Sequence, residues 1–284
     1  MVIQQLISSS TYLVAQDASI AVSPDSVLLF RSPGAGLIFI PIMIVMEKRW
    51  NILVRIERKD YSRMFLIGLL NIPMNQLFYL YGAKYTTLAN SALLYAMTPA
   101  LVFILSFLWH SKRPSTMKIA GIILAIIGAA VIMFERGATL HSEHTVGNML
   151  VFIAVIAWWL YTMLGRAMVL KCGSVYTTGI SMIVGALLYL PFGLFTASTA
   201  EISAISSRSW MEIVFLAAIA SGLNYFLWLY ALTKLVTTKV AVFSNLGPVA
   251  TTILALMLGK VILTPQLRGG GLLTLVGVLV VQLG

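Results

Sequence analysis

Runs of about 20 mostly apolar residues, separated by short polar breaks, constrain this chain more than any other feature. At helical rise each run reaches about 30 Å, the thickness of bilayer hydrocarbon. Spans are predicted near 3–22, 25–46, 64–83, 87–109, 116–134, 147–169, 174–196, 210–232, 236–258 and 265–283, which makes ten. The breaks carry turn and charge signals: Ser23-Pro24-Asp25, Glu47 to Arg63, Lys112-Arg113-Pro114-Ser115, Glu135 to Thr145, Ser198 to Ser209 and Thr264-Pro265. Val2 to Ile20 lacks a basic flank and its core is broken by Gln4, Gln5, Ser8, Ser9, Ser10 and Thr11, so it reads as a span and not a secretory signal. With 60% hydrophobic and 10% charged residues, the chain is too apolar for a soluble domain, which is about half apolar. The expected class is an all-α integral membrane protein.

The net charge of +10 does not form one basic face, and nucleic acid is not an expected partner. Lys and Arg fall between the apolar runs, where they set topology. With the N-terminus cytoplasmic, the outside ends hold only Arg31, Lys84, Arg136, Arg208, Lys260 and Arg268, six of the 19 cations. Both termini are therefore expected in the cytoplasm, with the Glu47 to Arg63 loop the strongest vote. The single cysteine, Cys172, forms no internal disulfide and is read as a free thiol.

The chain also repeats itself. A shift of 149 residues lays Asn224 on Asn75, Tyr230 on Tyr81, Pro248 on Pro99, Gly270 on Gly121 and Gly277 on Gly128. The repeats are placed at 1–134 and 147–284, joined by a loop at 135–146. Five helices per copy is an odd number, so the second copy enters the membrane the other way up. That is an inverted repeat.

Two copies of Asn-x5-Tyr with a following Pro, Arg31 opening the second span after Ser23-Pro24, and the Gly121/Gly128 and Gly270/Gly277 spans resemble the ten-helix drug/metabolite transporter superfamily, in its EamA-type branch. Where that family carries a glutamate just after the fourth and ninth helices, this chain reads Trp109-His110-Ser111-Lys112 and Leu258-Gly259-Lys260. The resemblance implies a solute path between the two five-helix halves.

Polar and aromatic stripes mark candidate linings for such a path. Gln5, Ser9, Tyr12 and Gln16 share one face of the first span, and Asn71, Asn75 and Tyr79 one face of the third. Ser91, Tyr95 and Thr98 do so on the fourth, Trp158, Tyr161 and Thr162 cluster on the sixth, and Ser221, Asn224 and Trp228 align on the eighth. Two readings stand for these groups. They hold solute at a repeat interface, or they bind helix to helix across the membrane. Asp17 is either a coupling site for a proton or cation, or the partner of Arg31 in an ion pair near the outer surface. Pro99 and Pro248 interrupt helices at matching depth and are hinge candidates.

Catalytic and metal motifs are missing from the sequence. Gly269-Gly270-Gly271 has no Walker lysine, His141, Glu143 and His144 lie in one loop without helical HExxH spacing, and no nucleophile-base set occurs. The expectation is a non-enzymatic, cofactor-free exporter of small metabolites such as amino acids, or of amphiphilic compounds, in the plasma (cytoplasmic) membrane. It meets lipid and a small-molecule solute, and one chain suffices to enclose a path. A nucleotide-sugar or phosphorylated-sugar carrier, which needs buried Lys or Arg, and a membrane-embedded lipid-modifying enzyme are the alternatives.

Overall fold

The computed structural model describes residues 1–50, 56–102, 115–135, 137–138, 141–198, 202–257, 262 and 264–283, and every element among them is helical. In chain order these are α1 (Val2–Ala21), α2 (Pro24–Trp50), α3 (Arg58–Leu69), a π segment (Leu70–Leu77), α4 (Phe78–Tyr85) and α5 (Leu88–Ala96). They continue with α6 (Thr116–Glu135), a 3-10 turn (Ser142–His144), α7 (Thr145–Thr196), α8 (Ser207–Phe215), a second π segment (Leu216–Leu223) and α9 (Asn224–Lys234). α10 (Thr237–Val242), a second 3-10 turn (Phe243–Asn245), α11 (Leu246–Met257) and α12 (Pro265–Leu283) follow.

Six helical stretches are long and apolar enough to cross a membrane, by length and composition, among the described residues. One of them, Ser142–Thr196, has 55 residues, close to twice what a bilayer needs. It breaks at Gly173, whose backbone (φ 76, ψ 166) lies where only glycine is unstrained. The predicted spans at 147–169 and 174–196 flank this break. Burial is inverted relative to a water-soluble protein: Asn71, Ser181, Ser221 and Thr274 are fully buried while Leu37, Leu187, Phe195 and Leu279 are exposed. Hydrocarbon solvates such an apolar surface; water would not.

The third and eighth predicted spans are each interrupted by a π segment, and the fourth and ninth by a break just ahead of a proline. Pro99 has no N–H to return to the carbonyl of Tyr95, and the Thr98 hydroxyl donates to that carbonyl at 2.6 Å instead. α5 accordingly stops at Ala96, and α10 gives way to the Phe243–Asn245 turn, which ends three residues before Pro248. Pro73 lies inside the first π segment; the second contains no proline.

The chain forms two compact units, each drawing on both halves of the sequence. The first comprises Met1–Ser10, Tyr81–Trp159 and Leu235–Gly284. Its centre is the antiparallel crossing of α6 and α12, which glycine makes possible. A Cβ at Gly128 would lie 2.5 Å from the Thr274 nitrogen and 2.6 Å from the Gly270 oxygen, and one at Gly121 would lie 2.8 Å from the Gly277 oxygen. Ile122, Ala125, Val242, Val278 and Val281 fill the adjacent core, with Phe243 and Leu246 packed on it. Lys239 donates from Nζ to the Gln282 carbonyl, and Gln282 Nε2 donates back to the Lys239 carbonyl at 2.9 Å, tying α10 to the end of α12. α1 meets this unit at Ser9, whose hydroxyl is shared between the Gln5 carbonyl at 2.8 Å and the Gly247 carbonyl at 3.3 Å.

The second unit comprises Thr11–Leu80 and Leu160–Lys234. α2 lies against the second π segment, where Gly34 faces Ala217, and against α7, where Gly36 faces Ile183. α3 lies against α7 through Gly68 and Gly185. Ala15, Ala18, Val22, Val27, Leu216 and Ala220 form one apolar core of this unit.

Candidate functional site

The second unit contains a continuous chain of buried polar groups. Arg31 on α2 donates from Nε to the Ser221 hydroxyl at 2.7 Å, and Ser221 donates to Gln76 Oε1 at 3.5 Å. Gln76 Nε2 donates to Asn71 Oδ1 at 3.1 Å, and Asn71 Nδ2 donates to the Ser181 hydroxyl at 3.2 Å. The Ser181 hydroxyl donates to the Thr178 carbonyl at 2.9 Å, which leaves the Tyr161 hydroxyl, 3.4 Å away, to donate to Ser181. The four bonds from Arg31 to Ser181 point the same way from the guanidinium, so each polarises the next, and Tyr161 meets them head-on at the Ser181 oxygen. All six side chains from Arg31 to Tyr161 are buried, Arg31 being 6% exposed.

The π segment creates this register. Asn71 and Gln76 are five residues apart, which in an α-helix puts them about 140° apart around the axis. An i→i+5 hydrogen-bond register brings them to one face, and π insertions recur at functional sites. Beside the chain, the Tyr225 hydroxyl donates to Asn75 Oδ1 at 3.2 Å, the Tyr161 and Tyr225 rings meet edge to face at 5.8 Å, and Trp228 Nε1 donates to Thr162 Oγ1 at 3.1 Å.

The second unit thus gathers Asn71, Asn75, Tyr161, Asn224 and Trp228, all buried, with Tyr79 half-buried on α4. Tyr95 and Trp158 belong to the first unit, half-buried and buried respectively. The side chains of Tyr12, Gln16 and Asp17 lie outside the described residues, as do 109–112 and 258–260. Pro99 and Pro248 are both buried in the first unit. Gln76, Ser181 and Tyr225 complete the network without having been singled out from sequence. Periodicity at 3.6 hides Gln76, and Ser181 and Tyr225 occur in apolar runs where one hydroxyl carries no pattern. The assembly offers amides, hydroxyls, aromatic faces and one guanidinium, which bind polar solutes and also bind helices to each other.

A second polar cluster lies at the start of α3 in the same unit. Glu57 precedes α3, and its N–H donates to Asp60 Oδ2 at 2.9 Å. Lys171 Nζ reaches Asp60 Oδ2 and lies 3.2 Å from Glu57 Oε1. Lys59, 2.7 Å from Glu57, and then Lys171 hold the Glu57 carboxyl below its ordinary pKa. A depressed carboxyl contributes stability that is full above its ordinary pKa and is lost as pH falls through the depressed value. Glu57→Gln is therefore expected to lower the melting temperature slightly at pH 7, only slightly because Glu57 is half exposed, and to converge on the parent protein as pH falls below about 4.

A family model described as the EamA-like transporter family matches residues 1–134 and 145–283 of this chain. Among similar proteins is the uncharacterized transporter YyaM of Bacillus subtilis (strain 168), 29% identical over 90% of this chain and 84% of that protein. An uncharacterized transporter of Archaeoglobus fulgidus is 26% identical over 91% of this chain and 88% of its own. A probable terminal-alkyne amino-acid exporter of Streptantibioticus cattleyicolor is 25% identical over 80% and 75%. A solved crystal structure superposes with a TM-score of 0.79 over 99% of this chain and 94% of that one, at 18% identity, a likeness of fold alone.

Proposed function

This chain belongs to the EamA-like transporter family, and from that premise we propose that it exports small metabolites such as amino acids, or amphiphilic compounds, by alternating access. The observation that carries this reading is the buried network from Arg31 to Tyr161 with the adjoining Asn75–Tyr225 pair, which draws residues 31–76 and 161–225 together in one unit. Solute exchanges with these amides and hydroxyls, and Trp228 and Tyr161 supply apolar walls. The similarity to an amino-acid exporter favours amino acids among the solutes.

The architecture proposed is ten membrane helices in two inverted five-helix repeats, with both termini cytoplasmic, in the plasma membrane as a monomer. The glycine contacts support the inversion. Gly121 faces Gly277 and Gly128 faces Gly270, and the 149-residue shift converts one contact into the other, as a two-fold axis requires. The breaks ahead of Pro99 and Pro248 support hinges at those depths. A phosphorylated-sugar carrier fits less well, because, of the cations available to clamp a phosphate, Arg31 is buried but already bonded to Ser221, Arg166 is half-buried, and Lys84 and Lys234 are exposed. No catalytic role and no cofactor are proposed.

The test is efflux from liposomes holding the purified protein and loaded with amino acids, nucleotide sugars and amphiphilic drugs. Movement of an amino acid or amphiphile is expected, and Asn75→Ala and Tyr225→Phe are expected to slow it at least tenfold while keeping a monodisperse elution profile. Efflux of nucleotide sugars alone, or lipid turnover without efflux, would overturn the proposal.

A further inference from the structure

We propose that Asp60, Glu57 and Lys171 form a latch that closes the α3 end of the second unit, and that its release opens that end during transport; this rests on the alternating-access reading. The Asp60 side chain is fully buried, although it is the third residue of a helix that starts at a loop. Its Oδ2 accepts from both the Glu57 N–H and Lys171, while Oδ1 has no hydrogen-bond partner among the described residues. A buried carboxylate with half its capacity unused is held by its cation. Withdrawing that cation without admitting water leaves an uncompensated buried charge. The end is therefore either paired and dry or open and wet, which is the discrete behaviour a gate needs.

The backbone next to Lys171 has room around it. Two residues on, α7 breaks at Gly173, where a Cβ would meet nothing within 4 Å and the carbonyl is bonded only within its own helix, by the Thr177 hydroxyl at 2.8 Å among the described residues. Lys171 thus sits at the end of one helical stretch and grips the capping residues of another. Lys59 is 71% exposed and 2.7 Å from Glu57, placed to occupy that carboxylate when Lys171 leaves. The far end of the same unit, about 24 Å away along α7, has a different tie, in which Tyr189 donates to the Asp25 backbone oxygen and to Oδ1, both at 3.2 Å.

The single cysteine reports on the latch directly, because Cys172 is buried between Lys171 and Gly173. The experiment measures the rate at which the full-length protein in inside-out membrane vesicles reacts with a membrane-impermeant maleimide. Lys171→Gln is expected to raise the Cys172 rate by about tenfold or more, the effect of moving a closed–open equilibrium one decade. Lys171→Arg, which keeps the charge, is expected to leave it protected. Asp60→Asn, which keeps an oxygen for the Glu57 N–H, is expected to expose Cys172 as Lys171→Gln does. A second reporter, Ser26→Cys in a Cys172→Ser background, samples the far end, where Ser26 is fully buried. Its rate, read in right-side-out vesicles, is expected to fall or stay level when Lys171→Gln is added. Unchanged Cys172 labelling in both Lys171→Gln and Asp60→Asn would overturn the latch, and so would a rise at both ends, which marks general loosening. Labelling needs no solute, so a failed efflux assay and a failed latch are separate outcomes.

Discussion

Gly128→Leu is expected to yield no monodisperse protein in detergent, and Gly128→Ala a melting temperature lower by roughly 5 °C. The atoms in the way are backbone: the Thr274 nitrogen at 2.5 Å and the Gly270 oxygen at 2.6 Å. Neither can rotate aside as a side chain does, so α6 and α12 must separate, at a cost of about 1–3 kcal/mol even for one methyl. Helices in a membrane have little hydrophobic force between them and depend on close packing, so separation removes most of what joins them. Gly277→Ala meets the Ala125 nitrogen in the same crossing and is expected to act alike. The Gly128→Ala/Gly277→Ala double variant is expected to cost less than the sum, because the helices separate once. Gly269→Ala and Gly271→Ala, with nothing within 4 Å, are the controls and are expected to leave the melting temperature unchanged or slightly raised. Equal effects at Gly128 and Gly269 in thermal unfolding would contradict this account.

Gln76→Leu carries the second large effect, because it removes the middle of the polar chain. Asn71 Oδ1 loses the amide that donates to it, and the Ser221 hydroxyl loses its acceptor, while both stay buried. At about 1 kcal/mol for each unpaired group the expected loss is about 2 kcal/mol, close to 5 °C. Transport is expected to fall at least tenfold, since the groups left unpaired reorient. The discriminating measurement is a double-mutant cycle with Asn71→Leu. The pair shares one hydrogen bond, so the two losses in melting temperature are expected to be clearly sub-additive. Strict additivity would show that Asn71 and Gln76 do not act together.

Much of the fold was legible because membrane helices announce themselves by length and apolarity. The break predicted between 169 and 174 is there as Gly173, and the resemblance to EamA-type transporters, read from Asn75, Asn224 and the paired glycines, agrees with the family match over both halves. The network was only half legible. Asn71, Asn75 and Tyr161 could be selected because amides and aromatics at helical spacing are unusual in hydrocarbon. Gln76 could not, because residues five apart share a face only where the helix widens, and local sequence does not encode that widening. Asp60 and Lys171 had no signal either, since in sequence they look like ordinary solvated loop charges 111 residues apart.

The sequence by itself determined that this chain is a helical membrane protein and where several of its apolar helices lie, since hydropathy, prolines and glycines act locally. Tertiary structure alone decided which polar groups meet. Arg31 to Tyr161 become one chain, and Asp60 finds Lys171, because each compact unit takes helices from both halves of the sequence. A buried hydrogen bond depends on the placement of two distant backbones to within a fraction of an ångström, and no periodicity within either segment specifies that distance.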